Sequence, residues 1–144
     1  MVDLETREVS EKRLKLELRL AQLEKSEACE KNFLTFVESM WPDFIVGEHH
    51  RKVAGKLERI ASGELKRLII NMPPRHTKSE FASYLFPAWM IGKDPAMKII
   101  QATHTTELAI GFGRKVKNLL ERDEYNEVFP ETKLAVDSKA SGRW

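Results

Sequence analysis

The chain has 144 residues, 42% hydrophobic and 32% charged, with a formal net charge of +2. That suits one soluble globular domain and excludes a uniformly basic chain that traps nucleic acid by charge alone. One cysteine, Cys29, excludes an internal disulfide and a cysteine-cluster metal site and suits a reducing cytosol. No apolar run approaches the length of a membrane span, and no signal-peptide core is present, so neither a membrane location nor secretion is expected.

Residues 1–30 carry six Lys/Arg and eight Asp/Glu, whereas residues 31–144 carry eighteen and fourteen, a mild asymmetry. Residues 1–30 read as an N-terminal amphipathic helix. Residues 1–9 are polar and expected to fray, Ser10 is placed to cap with Glu11 in the first turn, and Val9 and Leu14 are spaced for a hydrophobic staple. Leu16, Leu20 and Leu23 mark one stripe, broadened by Leu14, Leu18 and Ala21. The stripe fits packing on its own domain, or docking on a neighbouring subunit.

Phe33, Phe36, Val37, Met40 and Trp41 form a second helical stripe, stopped by Pro42. A third helix is expected over residues 49–62, with Val53, Leu57 and Ile60 inward and Gly63 ending it. Lys52, Lys56 and Arg59 lie on its other face; without interleaved aromatics, a solvated face is favoured over a DNA contact. Adjacent His49 and His50 would point about 100° apart on a helix, so they are not a chelating pair.

The central stretch is Arg67-Leu-Ile-Ile-Asn-Met-Pro-Pro-Arg-His-Thr-Lys-Ser-Glu80. Leu68-Ile69-Ile70 is dense in β-branched residues and predicts a buried strand. A turn with Pro73 and Pro74 follows, then Lys78-Ser79 opening a helix over 78–91 that Pro87 should kink or restart. Strand, loop, Lys-Ser and helix is the layout of a phosphate-binding loop. Loop amides and the helix start supply partial positive charge, Lys78 reaches the β/γ-phosphates, and the Ser79 hydroxyl ligates Mg²⁺. An ordinary strand-to-helix turn with an exposed lysine has the same outline. In the pattern G-x-x-x-x-G-K-[ST], Met72 and Thr77 replace the two glycines. Thr77 must therefore take negative φ, or the loop is strained. The prolines also remove amides from the loop, which places more weight on Arg75 and Lys78.

Beyond a turn at Gly92, Asp94 and Pro95, Lys98-Ile-Ile-Gln-Ala-Thr103 predicts a second strand. Thr105 or Thr106 caps a helix over 107–121, whose stripe is Leu108, Phe112, Val116, Leu119 and Leu120. Gly111 and Gly113 weaken that helix by up to about 1 kcal/mol each relative to alanine. Strand, helix, strand, helix indicates a βαβ unit with a parallel sheet and right-handed crossover. Phe129-Pro130 closes a short helical turn, and Leu134 to Val136 reads as a further strand before Ser141-Gly-Arg-Trp144.

The stretch Ile69 to Glu80 resembles the deviant Walker A of the large terminase subunits of tailed bacteriophages, which read Pro-Pro-Arg, one residue, then Gly-Lys-Ser. Pro73, Pro74, Arg75, Lys78 and Ser79 match, and Thr77 departs. The flanks resemble the family too: Gly47-Glu-His-His-Arg51, Leu57 to Arg67, Phe86-Pro-Ala-Trp89, Lys98 to Thr103 and Phe112-Gly-Arg-Lys-Val116. The resemblance covers roughly residues 30 to 144 and rests on the order of several motifs.

The resemblance implies an α/β fold, an incomplete P-loop NTPase preceded by N-terminal helices, with residues 31–144 as the N-terminal part of the ATPase domain. It implies ATP and Mg²⁺ as ligands, held by Pro74, Arg75, His76, Thr77, Lys78, Ser79 and Glu80. Arg75 would be catalytic, stabilising the γ-phosphate, and Ser79 the metal ligand. A surface Arg75 paired with Glu80 or another acid is the alternative. Trp41, Phe44, His49 and His50 become adenine-pocket candidates, and Thr103, His104, Arg114 and Lys117 DNA-facing candidates by analogy with P-loop motors. Implied partners are double-stranded DNA, the portal protein, the small terminase subunit and identical subunits in a ring, in the host cytoplasm. Hydrolysis needs a Walker B acid and a catalytic Glu. No apolar run ending in paired acids follows residue 103, so the chain reads as the N-terminal part of a longer packaging ATPase, expected to self-associate alone. Another P-loop ATPase of helicase type, or a non-catalytic interaction module acting through residues 10–27, are the alternatives.

Overall fold

A computed structural model gives the structure of residues 2–134, and every regular element among them is a helix. α1 spans Val2–Lys31, α2 Phe33–Met40 and α3 Glu48–Ala61. A π-helical segment, Glu80–Leu85, runs directly into α4, Phe86–Lys93. α5 covers Thr106–Leu120 and α6 Asp123–Val128.

The expected α/β parallel sheet is corrected by this architecture: no strand or sheet occurs among the described residues. The two stretches read as strands, Leu68 to Ile70 and Lys98 to Thr103, are non-helical but join no ladder. Leu68 and Ile70 lean on the core while Ile69 is 87% exposed, and Ile100 is 96% exposed. β-Branching disfavours the helix locally, but a sheet also needs a partner edge for its N–H and C=O groups. The helices build the core without one. The strand expected from Leu134 lies, past that residue, outside the described residues, as does Ser141 to Trp144.

Helix α1 also departs from expectation at its start. Ser10 is not a cap, because the helix is already under way from Val2. No Gly or Pro interrupts the first thirty-one residues, so nothing local stops it there. Leu14, Leu16, Leu18, Leu20 and Leu23 are exposed, so the stripe does not pack on its own domain. Leu16, Leu20 and Leu23 lie on one side of the helix and Leu14 and Leu18 on the other, which leaves no single apolar face.

The break at Asn32 is built from side chains. Its carboxamide oxygen accepts the Thr35 N–H at 2.8 Å, capping α2. The Glu58 carboxylate, from α3, accepts the Phe33 N–H at 2.8 Å, where negative charge suits a helix start. The Cys29 carbonyl accepts the Trp89 indole N–H at 2.8 Å. Phe33, Phe36, Phe81, Leu85, Trp89, Leu119 and Tyr125 fill the core between these helices. The Tyr125 hydroxyl donates to the Ala88 carbonyl at 2.8 Å, and burial pushes its pKa well above the ordinary phenol range. Phe129 packs closely against Gly92, where a Cβ would stand 2.4 Å from its ring.

Pro87 explains the π-helical segment. Its ring crowds the carbonyl four residues earlier, that of Ser83, and it has no N–H to give. The helix widens instead, with the Phe86 N–H reaching the Phe81 carbonyl. The Ser83 carbonyl accepts the Gln101 side-chain amide at 3.3 Å. That bond holds the segment after Pro95 against the helical run 78–93.

Several expectations match. Thr105 caps α5 by accepting the Leu108 N–H at 3.3 Å, and Gly63 leaves α3 at φ 77°. No helix among the described residues is long and apolar enough to cross a membrane.

Candidate functional site

The loop of residues 72–79 enters the helical run with two non-glycine residues in the left-handed region, Arg75 at φ 64° and Thr77 at φ 59°. Thr77 occupies the position of the second glycine in the phosphate-loop pattern. The strained alternative therefore holds: the backbone adopts the glycine-like conformation on a β-branched residue, which disfavours it. A left-handed residue followed by helical Lys78 turns successive N–H groups toward one side, the arrangement of an anion-binding concavity. The Thr77 carbonyl accepts the Phe81 N–H at 2.9 Å, which starts the helix.

A chain of hydrogen bonds holds Thr77 in place. His50 is buried in the first turn of α3. The Gly47 N–H donates to its Nδ1 at 2.9 Å, so Nδ1 is unprotonated and the proton sits on Nε2. Nε2–H donates to Thr77 Oγ1 at 2.8 Å. The Thr77 hydroxyl in turn donates to the His76 carbonyl at 2.6 Å. Burial holds the His50 pKa below its ordinary value, and the neighbouring His49 and His76 reinforce this.

Around His50 the aromatics form a cluster in which Phe44 also touches Phe81 at 5.7 Å. His50 stacks on Phe81 at 5.3 Å between ring centroids, Phe44 lies 4.7 Å from His50, and Trp41 lies 4.9 Å from Phe44. Trp41 is the exposed edge of the cluster. His49 contacts both His50, at 3.8 Å, and His76, at 5.8 Å. The structure thus brings the sequence-selected Trp41, Phe44, His49 and His50 together, and joins them to the loop through Thr77.

Pro74, Arg75, His76, Lys78 and Ser79 are exposed. Among the described residues neither Arg75 nor Lys78 forms an ion pair. The Arg75–Glu80 pairing does not occur: Glu80 takes Lys115, from α5, at 2.8 Å. The His76 Nδ1 donates to the Pro74 carbonyl at 2.9 Å and folds the turn back on itself. For Mg²⁺ the chain supplies one exposed hydroxyl, Ser79. That fits a metal arriving with phosphates, since Mg²⁺ commonly takes one or two protein ligands beside phosphate and water. Among the described residues no cluster of three or more His, Cys, Asp or Glu could hold a metal alone.

The DNA-facing candidates are less gathered. Thr103 donates its hydroxyl to the Thr105 carbonyl at 2.6 Å, and His104 and Arg114 are exposed. On α3, Lys52 pairs with Glu48 at 3.8 Å and Arg59 with Glu64 at 2.8 Å. Lys115 was not singled out by pattern, because only its partner across 35 residues identifies its role.

Comparison of the chain with protein-family models, with curated proteins and with solved structures found no match.

Proposed function

We propose that the loop of residues 72–79 binds the phosphates of ATP together with Mg²⁺. Lys78 and Arg75 supply the neutralising charge and Ser79 the metal-ligating hydroxyl. The observation that carries this reading is the left-handed backbone at Thr77, immediately before Lys78-Ser79, on a residue type that avoids it. A turn with no ligand to shape itself around has no evident use for that strain. The reading uses a loop, two exposed cations and a run of amides, and makes no use of a sheet. The aromatic cluster with Trp41 at its exposed edge offers a stacking surface for a base in the same neighbourhood.

The wider role follows from the resemblance to terminase large subunits. The chain would serve as part of an ATP-driven packaging motor in the host cytoplasm. Double-stranded DNA, a portal ring, a small terminase subunit and identical subunits would be its partners. Hydrolysis is not assigned to these residues, because no paired acids follow a buried apolar run after residue 103.

Titration with a fluorescent ATP analogue and Mg²⁺, beside Lys78→Ala, tests the reading. Saturable binding that Lys78→Ala abolishes is the expected result. Equal binding by both proteins, or none by a folded wild type, overturns it.

A further inference from the structure

From the hydrogen bonds converging on Thr77, we infer that His50 is the positioning residue of the phosphate loop, holding threonine in a backbone conformation that glycine would adopt unaided. The inference rests on the phosphate-binding reading above and assigns how this chain's own loop is kept competent.

A threonine at φ 59° relaxes toward negative φ unless something holds it. Thr77 is held at both ends of its hydroxyl: it accepts from His50 Nε2 and donates to its neighbour's carbonyl. His50 is itself fixed. Its ring packs against Phe44 and Phe81, which also touch each other, and Gly47 N–H specifies which nitrogen bears the proton. The brace therefore links two distant parts of the chain, the α3 start and the loop, 27 residues apart. Only the neutral ring can accept from Gly47 and donate to Thr77 together. The titratable groups acting on it are His49 on its own helix, in direct ring contact, and His76 on the loop, which touches His49. The other elements against it present the apolar rings Phe44 and Phe81, and the charged groups that act on it among the described residues, His49 and His76, both disfavour the charged ring.

A glutamine at position 50 keeps a donor near the place of Nε2 but has no ring to titrate. A glycine at position 77 needs no brace.

Isothermal titration of the full chain with inorganic tripolyphosphate and Mg²⁺ tests the inference, because that probe has no base to contact His50. His50→Leu is expected to weaken binding about tenfold, the scale of the left-handed cost on a β-branched residue. His50→Gln restores most of the affinity and flattens its fall as the pH drops below about 6.5. The double variant His50→Leu/Thr77→Gly returns to near the wild-type affinity at neutral pH. Wild-type affinity in His50→Leu overturns the inference while leaving the phosphate reading standing. Weak binding that Thr77→Gly does not rescue also overturns it, since His50 would then matter only to folding. Failure of the folded wild type to bind ATP or tripolyphosphate overturns the phosphate reading and the inference with it.

Discussion

The aromatic core and the loop of residues 72–79 are held in place in opposite ways. Phe33 meets Phe81, Phe86 and Trp89 at centroid distances of 5.4–5.6 Å, and Phe36 meets Tyr125 and Phe129 at 6.1 and 5.7 Å. Each of those contacts is backed by several others. The loop is exposed, and its left-handed Thr77 depends on one chain of hydrogen bonds through His50. The contrast teaches that stability and site shape are carried by different residues. Damage to the core should unfold the protein. Damage to the loop should leave a folded protein with a different loop.

The sharpest way to break the comparison is Trp89→Ala. It removes a fully buried ring and leaves the Cys29 carbonyl without its indole donor. Loss of about 3–5 kcal/mol is expected in urea unfolding. Gly92→Ala comes next. Its Cβ would overlap the Phe129 ring, so the ring and α6 must shift, and about 1–3 kcal/mol is expected to be lost in the same assay. Acid probes the other side of the comparison. The folded pKa of His50 lies below its unfolded value, so the neutral ring contributes stability above about pH 6.5 that is lost as pH falls through the folded value. The wild-type melting temperature should therefore drop on acidification by more than that of His50→Gln. The smallest effect is Gly111→Ala. A Cβ there meets nothing within 4 Å, so the change should stabilise α5 by up to about 1 kcal/mol with nucleotide binding unchanged.

The helix ends were legible where a single residue decides them. Pro42 stops α2, Gly63 follows α3, and Thr105 caps α5, each a local signal that packing did not override. Pro87 was legible as a disturbance, although its outcome, a π-helical widening with Gln101 covering the Ser83 carbonyl, depends on a residue 18 positions away. The two β-branched runs misled because strand propensity reports a local preference, whereas a ladder requires a partner at long range. Ile69 and Ile100 stand exposed for want of one. At α1, Ser10 resembled a cap only because the residues before it looked too polar to be helical.

The site divides in the same way. Lys78, Ser79 and Arg75 were selected as candidates because the motif is contiguous. The substitution of Thr77 for glycine signalled strain but not its remedy. His50 was selected as an aromatic neighbour of a base, and its bond to Thr77 needed the fold to become visible. The spacing Gly47 to His50 carried a faint hint, since a side chain three residues into a helix can reach back to the capping N–H.

Amide resonances of Thr77, Lys78, Ser79 and Glu80, followed while tripolyphosphate and Mg²⁺ are added, show whether the loop itself takes the phosphates. Saturable shifts concentrated at these amides and at the His50 ring are expected, with the Trp89 indole unmoved. Shifts spread over the basic faces of α3 and α5, with the loop amides still, would contradict phosphate binding by the loop.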